Sequence, residues 1–174
     1  MSTNNRDQND FDLNWENNGL PCILSFYNGE RGIVSPLSTA RKNRLIRENN
    51  WDRSNCPTCG QVMRHYPNRA FGIEIGNALT ISHGIPRRKL GGTNEGWNLR
   101  PSCNWCNRCD GMVVNTHLLN MDNVSLVEII RIARWSMSLD YEKVSSAEIH
   151  PVLNKEFTNQ REQVEKKYSS EGFF

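Results

Sequence analysis

Between residues 125 and 139 the apolar positions fall on one side of a helix. Leu126, Ile129, Ile130, Ala133 and Met137 recur at three- and four-residue spacing. Ser125-x-x-Glu128 supplies a capping box at the start. The stripe is expected to lie in the core. A second helix is predicted over about 151–168, behind His150-Pro151, in a stretch rich in Lys, Glu and Gln. Ser35-Pro36 reads as N-cap and first helical residue of a helix reaching Asn49. One face of that helix carries Arg41, Lys42, Arg44 and Arg47.

Shorter apolar runs predict strands. One covers 21–28, where Ile23, Leu24, Phe26 and Tyr27 cluster. Residues 70–76 have mixed strand character, and 78–83 form a strand that ends near His83. Residues 84–96 contain Gly91-Gly92 and lack a helical period, so they form a loop. Asn98 to Pro101 is a second short strand, and a helix begins near Ser102 or Cys103. Residues 1–18 are polar and Asn-rich, with Phe11, Leu13 and Trp15 as anchors. These elements divide the chain into a flexible arm (1–20), a strand and basic helix (21–53), a central unit (54–115) and a helical extension (116–174). No internal repeat is visible.

A length of 174 residues, 37% of them hydrophobic and 23% charged, fits one rather polar globular domain. The net charge is only +2, but it is unevenly distributed. Residues 36–108 hold twelve basic side chains against four acidic ones, a surplus of eight. Such a footprint suits a phosphate backbone, although a solvated basic face reads the same way. No stretch approaches the roughly 20 apolar residues of a membrane span. The start of the chain has no apolar export signal, so a cytoplasmic, reducing setting is expected, without a membrane partner.

That setting changes the reading of the six cysteines. Cys56-Pro57-Thr58-Cys59 and Cys103-Asn104-Trp105-Cys106 are two CxxC pairs. Two such pairs complete a closed tetrahedral Zn²⁺ site. Cys106-Asn107-Arg108-Cys109 is also a CxxC, so Cys109 is an alternative to Cys103 by spacing alone. Cys22 reads as a small buried hydrophobe.

The clamp encloses His83. An imidazole at a strand end, beside a glycine-bearing loop, suits a general base near neutral pH. The Asn107 amide follows a zinc cysteine directly and offers an oxygen to a hard cation such as Mg²⁺. His65 reads as a surface residue, and His117 and His150 lack companions at ligand spacing.

Cys56, Cys59, Ile81-Ser82-His83, Pro86, Gly91-Gly92, Asn98-Leu99, Cys103, Cys106-Asn107 and Gly111 occur in an order that resembles the HNH endonuclease family. The resemblance covers about 54–112. It implies an α+β fold with a ββα-metal core, stapled by a Cys₄ zinc through Cys56, Cys59, Cys103 and Cys106, with flanking helices. His83 would be the general base, Asn107 a ligand of a catalytic Mg²⁺ or Mn²⁺, and Asn98 the residue that ties the loop and aims His83. The products would carry 5′-phosphate and 3′-hydroxyl ends.

One position departs from the family pattern. An acidic residue, or sometimes His, usually precedes the base histidine and binds the metal, but here that residue is Ser82. Ser82 could hold the metal weakly or through water, a carboxylate such as Asp110 or Glu74 could substitute, or the site could be disabled. Arg87, Arg88, Lys89, Arg100 and Arg108 are candidate contacts to double-stranded DNA.

The leading reading is a site-specific, restriction-type DNA endonuclease acting as a homodimer, since palindromic sites favour two-fold symmetry. The 125–139 helix is a candidate for the interface. Homing, junction-resolving and phage nucleases are alternatives within that class. A non-catalytic zinc module that binds nucleic acid and a zinc-stapled protein-interaction domain are the alternatives outside it.

Overall fold

A computed structural model describes residues 14–67, 76–119, 123–139 and 149–170. The architecture is α+β. Strand β1 (Leu79–His83) pairs antiparallel with β2 (Leu99–Cys103). The register sets Leu79 opposite Cys103, Ser82 opposite Arg100 and His83 opposite Leu99. A helix, Asn104–Leu119, follows β2 directly and packs against both strands, completing a ββα unit. Trp105, Cys109 and Val113 recur every four residues and form its buried stripe.

Helices enclose this unit. The 21–28 strand expectation is corrected. A π-helical turn (Trp15–Gly19) leads into α1 (Leu20–Tyr27). Trp15, Gly19, Cys22 and Ile23 are buried at helical spacing, a stripe that a strand would split between two faces. Pro21, which has no backbone N–H to donate, falls where the π-helical turn passes into α1. The last part of the predicted arm is therefore ordered against the core, with Trp15 only 5% exposed beneath the Arg134 guanidinium. Residues 1–13 and the strand predicted at 70–76, apart from Gly76, lie outside the described residues.

The basic helix α2 runs Thr39–Glu48 and starts later than Ser35-Pro36 suggested. Ser38 is its N-cap, because the Ser38 hydroxyl accepts the otherwise unpaired N–H of Arg41 at 3.2 Å. With α1 and α2 so placed, the helix of the ββα unit is α3. Helix α4 (Leu126–Ser138) begins where predicted, with the Ser125 hydroxyl accepting from Glu128 N. Helix α5 (Pro151–Ser170) lies along α3 and buries Leu153 and Phe157.

One buried cluster joins these elements, with Trp15, Ile23, Met63, Leu79, Val113, Ile132, Trp135 and Leu153 among its members. Each fully buried aliphatic side chain contributes about 1.5–3 kcal/mol. Helix α4 spends its apolar face here, with Ile132, Ala133, Trp135 and Met137 inaccessible. Among the described residues no helix is long and apolar enough to cross a membrane.

Candidate functional site

The two CxxC pairs meet. Cys56 and Cys59 lie on a tight turn closed by Gly60 N–H to Cys56 O at 2.8 Å, and Gly60 takes a positive φ of 75°. Cys103 ends β2 and Cys106 lies in the first turn of α3. The four sulfurs lie within 4.8 Å of one another. Cys59 Sγ and Cys103 Sγ are 3.8 Å apart. A tetrahedron with Zn–S bonds of about 2.3 Å has edges of about 3.8 Å, whereas a disulfide would need about 2 Å. All six cysteines are free thiols. The donor set therefore fits a Cys₄ metal site.

Electrostatics agrees. Hydrogen bonds from Cys103 and Cys106 hold the Cys59 thiol down at about 6 and Cys56 lower still. Four touching thiols cannot all ionise against one another, and a dication between them removes that conflict. Cys109 is buried outside the group, and desolvation pushes its thiol up to about 11. The tertiary structure thus chooses Cys103 over Cys109.

Arg161 on α5 covers this cluster. Its Nη1 donates to Cys106 Sγ at 3.3 Å and approaches Cys103 Sγ at 3.8 Å. Glu165 holds the guanidinium through Nε at 2.6 Å, and the Trp105 ring lies 5.0 Å away. The Thr58 hydroxyl ties the turn to Leu139 O at the end of α4.

His83 closes β1 and is half-buried. Its Nε2 is 2.8 Å from Asn94 Oδ1. Asn94 Nδ2 donates to Ser35 O at 2.8 Å, so the amide is oriented with its oxygen toward the imidazole. The proton is then on Nε2, and Nδ1 keeps its lone pair. Burial lowers the His83 pKa, and the charges of Arg87, Arg100 and Lys42 lower it further against the opposing Asn94 bond. The ring is neutral at physiological pH and sits in a cationic surround. Asn94 was not among the sequence candidates. It lies eleven residues from His83 in a loop, where spacing carries no signal.

Asn98 is fully buried. Its Oδ1 accepts from Ile85 N at 2.7 Å, and its Nδ2 donates to Thr93 O at 2.9 Å and Ile85 O at 3.2 Å. One side chain thereby ties together both ends of the 85–93 loop. Gly92 is required at this closure, since a Cβ there would lie 1.7 Å from Ile85 O.

Ser82 is buried across from Arg100. Asn107 is half-buried on α3 and makes no side-chain hydrogen bond among the described residues. Asp110 lies one turn beyond Asn107. Its carboxylate faces the Ser136 hydroxyl at 3.3 Å and feels Arg100, while desolvation pushes it up to about 7. Glu74 lies outside the described residues. No cage of three His, Cys or acidic ligands forms around Ser82 and Asn107 among the described residues. What Asn107 and the Ser82 hydroxyl offer is oxygen, which suits a hard cation that keeps several waters.

The basic candidates divide. Arg88, Lys89 and Arg108 are exposed. Arg88 and Lys89 border a cleft of about 410 Å³ against Gly111, Val114 and Asn115 of α3. Arg87 donates to Val34 O at 2.6 Å. Arg100 is corrected as a DNA contact. It is buried, and its guanidinium donates to Ser136 O and Met137 O, both at 2.9 Å. The last carbonyls of α4 lack helical partners and attract a cation, so they claim this side chain. Arg41, on α2, donates to Asn94 O at 2.8 Å and docks the basic helix on the loop of His83. His65 is bound to Asn43 Oδ1 at 3.0 Å, a tie to the same helix.

Residues 56–111 match the family model described as HNH endonuclease. This span is the clamp, the hairpin and the start of α3. No curated protein and no solved structure gives a significant match to the chain.

Proposed function

We propose that the HNH segment makes this chain a divalent-metal-dependent DNA endonuclease, site-specific in the manner of restriction enzymes and acting as a homodimer. The observation that carries this reading is His83 itself: a neutral imidazole whose Nε2–H is committed to Asn94, with Nδ1 left to accept a proton, among Lys42, Arg87 and Arg100.

In this reading His83 Nδ1 takes a proton from water as the oxygen attacks phosphorus. The P–O3′ bond breaks, the 3′ oxygen gains a proton from solvent, and a 5′-phosphate remains. Asn107, helped by the Ser82 hydroxyl, would hold Mg²⁺ or Mn²⁺, which would supply charge stabilisation at the phosphate. Asn98 positions the loop. Arg88, Lys89 and Arg108 contact the DNA backbone or bases, with Arg87 and the exposed face of α2 beside them. The Cys₄ zinc is structural, because four thiolates leave no open position.

Ser82 and the engaged state of Asp110 favour a second reading, a zinc module that binds DNA with little or no cleavage. Cleavage of supercoiled plasmid with Mg²⁺ or Mn²⁺ separates the two. The nuclease reading expects cutting that falls about 100-fold in His83→Ala while DNA binding persists, and a gain in Ser82→Asp. Discrete fragments from genomic DNA would support site specificity. No gain from Asp at 82, together with no loss from Ala at 83, would falsify the assigned roles.

A further inference from the structure

His117, Glu128 and His150 stand apart from both sites described above. They come from three helix ends: the last turn of α3, the first turn of α4 and the residue before α5. His150 Nε2 lies 2.7 Å from Glu128 Oε1, and His117 Nε2 lies 3.2 Å from the same oxygen. The imidazoles meet edge to face, with centroids 5.4 Å apart and planes at 86°. Two ring nitrogens and a carboxylate oxygen thus converge on one point, all within 4.8 Å of one another.

We propose that these three side chains form a second metal site, for Zn²⁺ or a similar borderline divalent cation. The inference is independent of the nuclease reading. Two imidazole nitrogens and one carboxylate are a donor set that Zn²⁺ accepts, with water as the fourth ligand. The burial suits this geometry. The His150 side chain is only 6% exposed, while Glu128 and His117 keep 18% and 23%, so one side is open to solvent.

Charge suits it as well. One carboxylate shared by two imidazoles leaves the cluster able to take positive charge, and Arg131, 52% exposed, lies 3.7 Å away on the other carboxylate oxygen, Glu128 Oε2. On binding, the ion takes the place of the two Nε2 protons that bridge to Oε1, and each neutral imidazole keeps its single proton by moving it, through solvent, to Nδ1. One contact is given up. Leu153 N–H donates to His150 Nδ1 at 3.4 Å, and a neutral imidazole ligated through Nε2 carries its proton on Nδ1. That bond is long and belongs to a helix start. The ion would pin α5 to the end of α3, binding the C-terminal helix to the ββα unit.

The test is calorimetric titration of Zn²⁺ into the full chain as purified, with its tightly held metal in place. One further saturable site is expected. Its affinity should fall about 100-fold in Glu128→Gln, which keeps a hydrogen-bond acceptor but loses the charge, and likewise in His117→Gln. Far-UV circular dichroism should be unchanged in both. The same site should persist in Asn107→Ala, which removes the ligand assigned to the catalytic cation. Absence of a further site overturns the proposal. So does uptake that both Gln variants retain, or uptake that Asn107→Ala removes.

Discussion

His83 Nε2 and Asn94 Oδ1 are 2.8 Å apart, and this contact decides which ring nitrogen keeps its lone pair. Asn94 cannot present its amide the other way without giving up its donation to Ser35 O. Burial keeps the imidazole below its ordinary pKa, so the base stays deprotonated down through the usual His value of about 6.5. The acid limb of the cleavage pH profile should therefore lie below about pH 6.5. Protonation of this ring is disfavoured in the folded state, so its stabilising contribution is present above that value and lost as pH falls. Asn94→Ala should lower turnover about 100-fold through loss of orientation. Asn94→Asp should move the acid limb upward, because a carboxylate favours the imidazolium. An unmoved limb in the Asp variant would count against this assignment.

Asn98→Ala removes three hydrogen bonds and strands the buried Ile85 N–H. One stranded buried group costs about 1–3 kcal/mol. Thermal unfolding should show a lower midpoint, and cleavage should fall with it at temperatures where the chain is still folded. A variant as stable and as active as the parent would show that the loop holds itself.

Arg100 and the exposed loop cations should separate in salt titrations. Each of Arg88→Ala and Lys89→Ala should lower the slope of log affinity against log salt by about one. Arg100→Met should leave that slope intact and lower the unfolding midpoint instead, since it uncaps Ser136 and Met137. A reduced salt slope in Arg100→Met would restore this residue to the DNA interface.

Arg161 donates to the sulfur of Cys106 from a different helix. Such bonds from beyond the ligand shell typically change metal affinity 10- to 100-fold. Arg161→Met should release zinc to a chromophoric chelator at least about tenfold faster, with the fold intact by circular dichroism. Equal release rates would reduce Arg161 to a packing residue.

What the sequence determined by itself was local. CxxC spacing, the Ser125 N-cap, the strand ending at His83 and the helix carrying Asn107 all depend on residues within a few positions of one another. Their geometry follows from backbone periodicity and turn chemistry. The order of these pieces was enough to bring out the HNH segment at 56–111. Tertiary structure decided the rest. The choice of Cys103 over Cys109, the Asn94 brace on His83 and the diversion of Arg100 to α4 depend on which distant groups meet. So does the meeting of His117 and His150 at Glu128. A buried carbonyl, thiolate or carboxylate takes whichever donor folding brings within reach, and that reach is set by the packing of several helices on one hairpin. The 21–28 segment went wrong for the same reason: its apolar run fits either period, and only the core beneath Trp15 and Ile23 selects the helix.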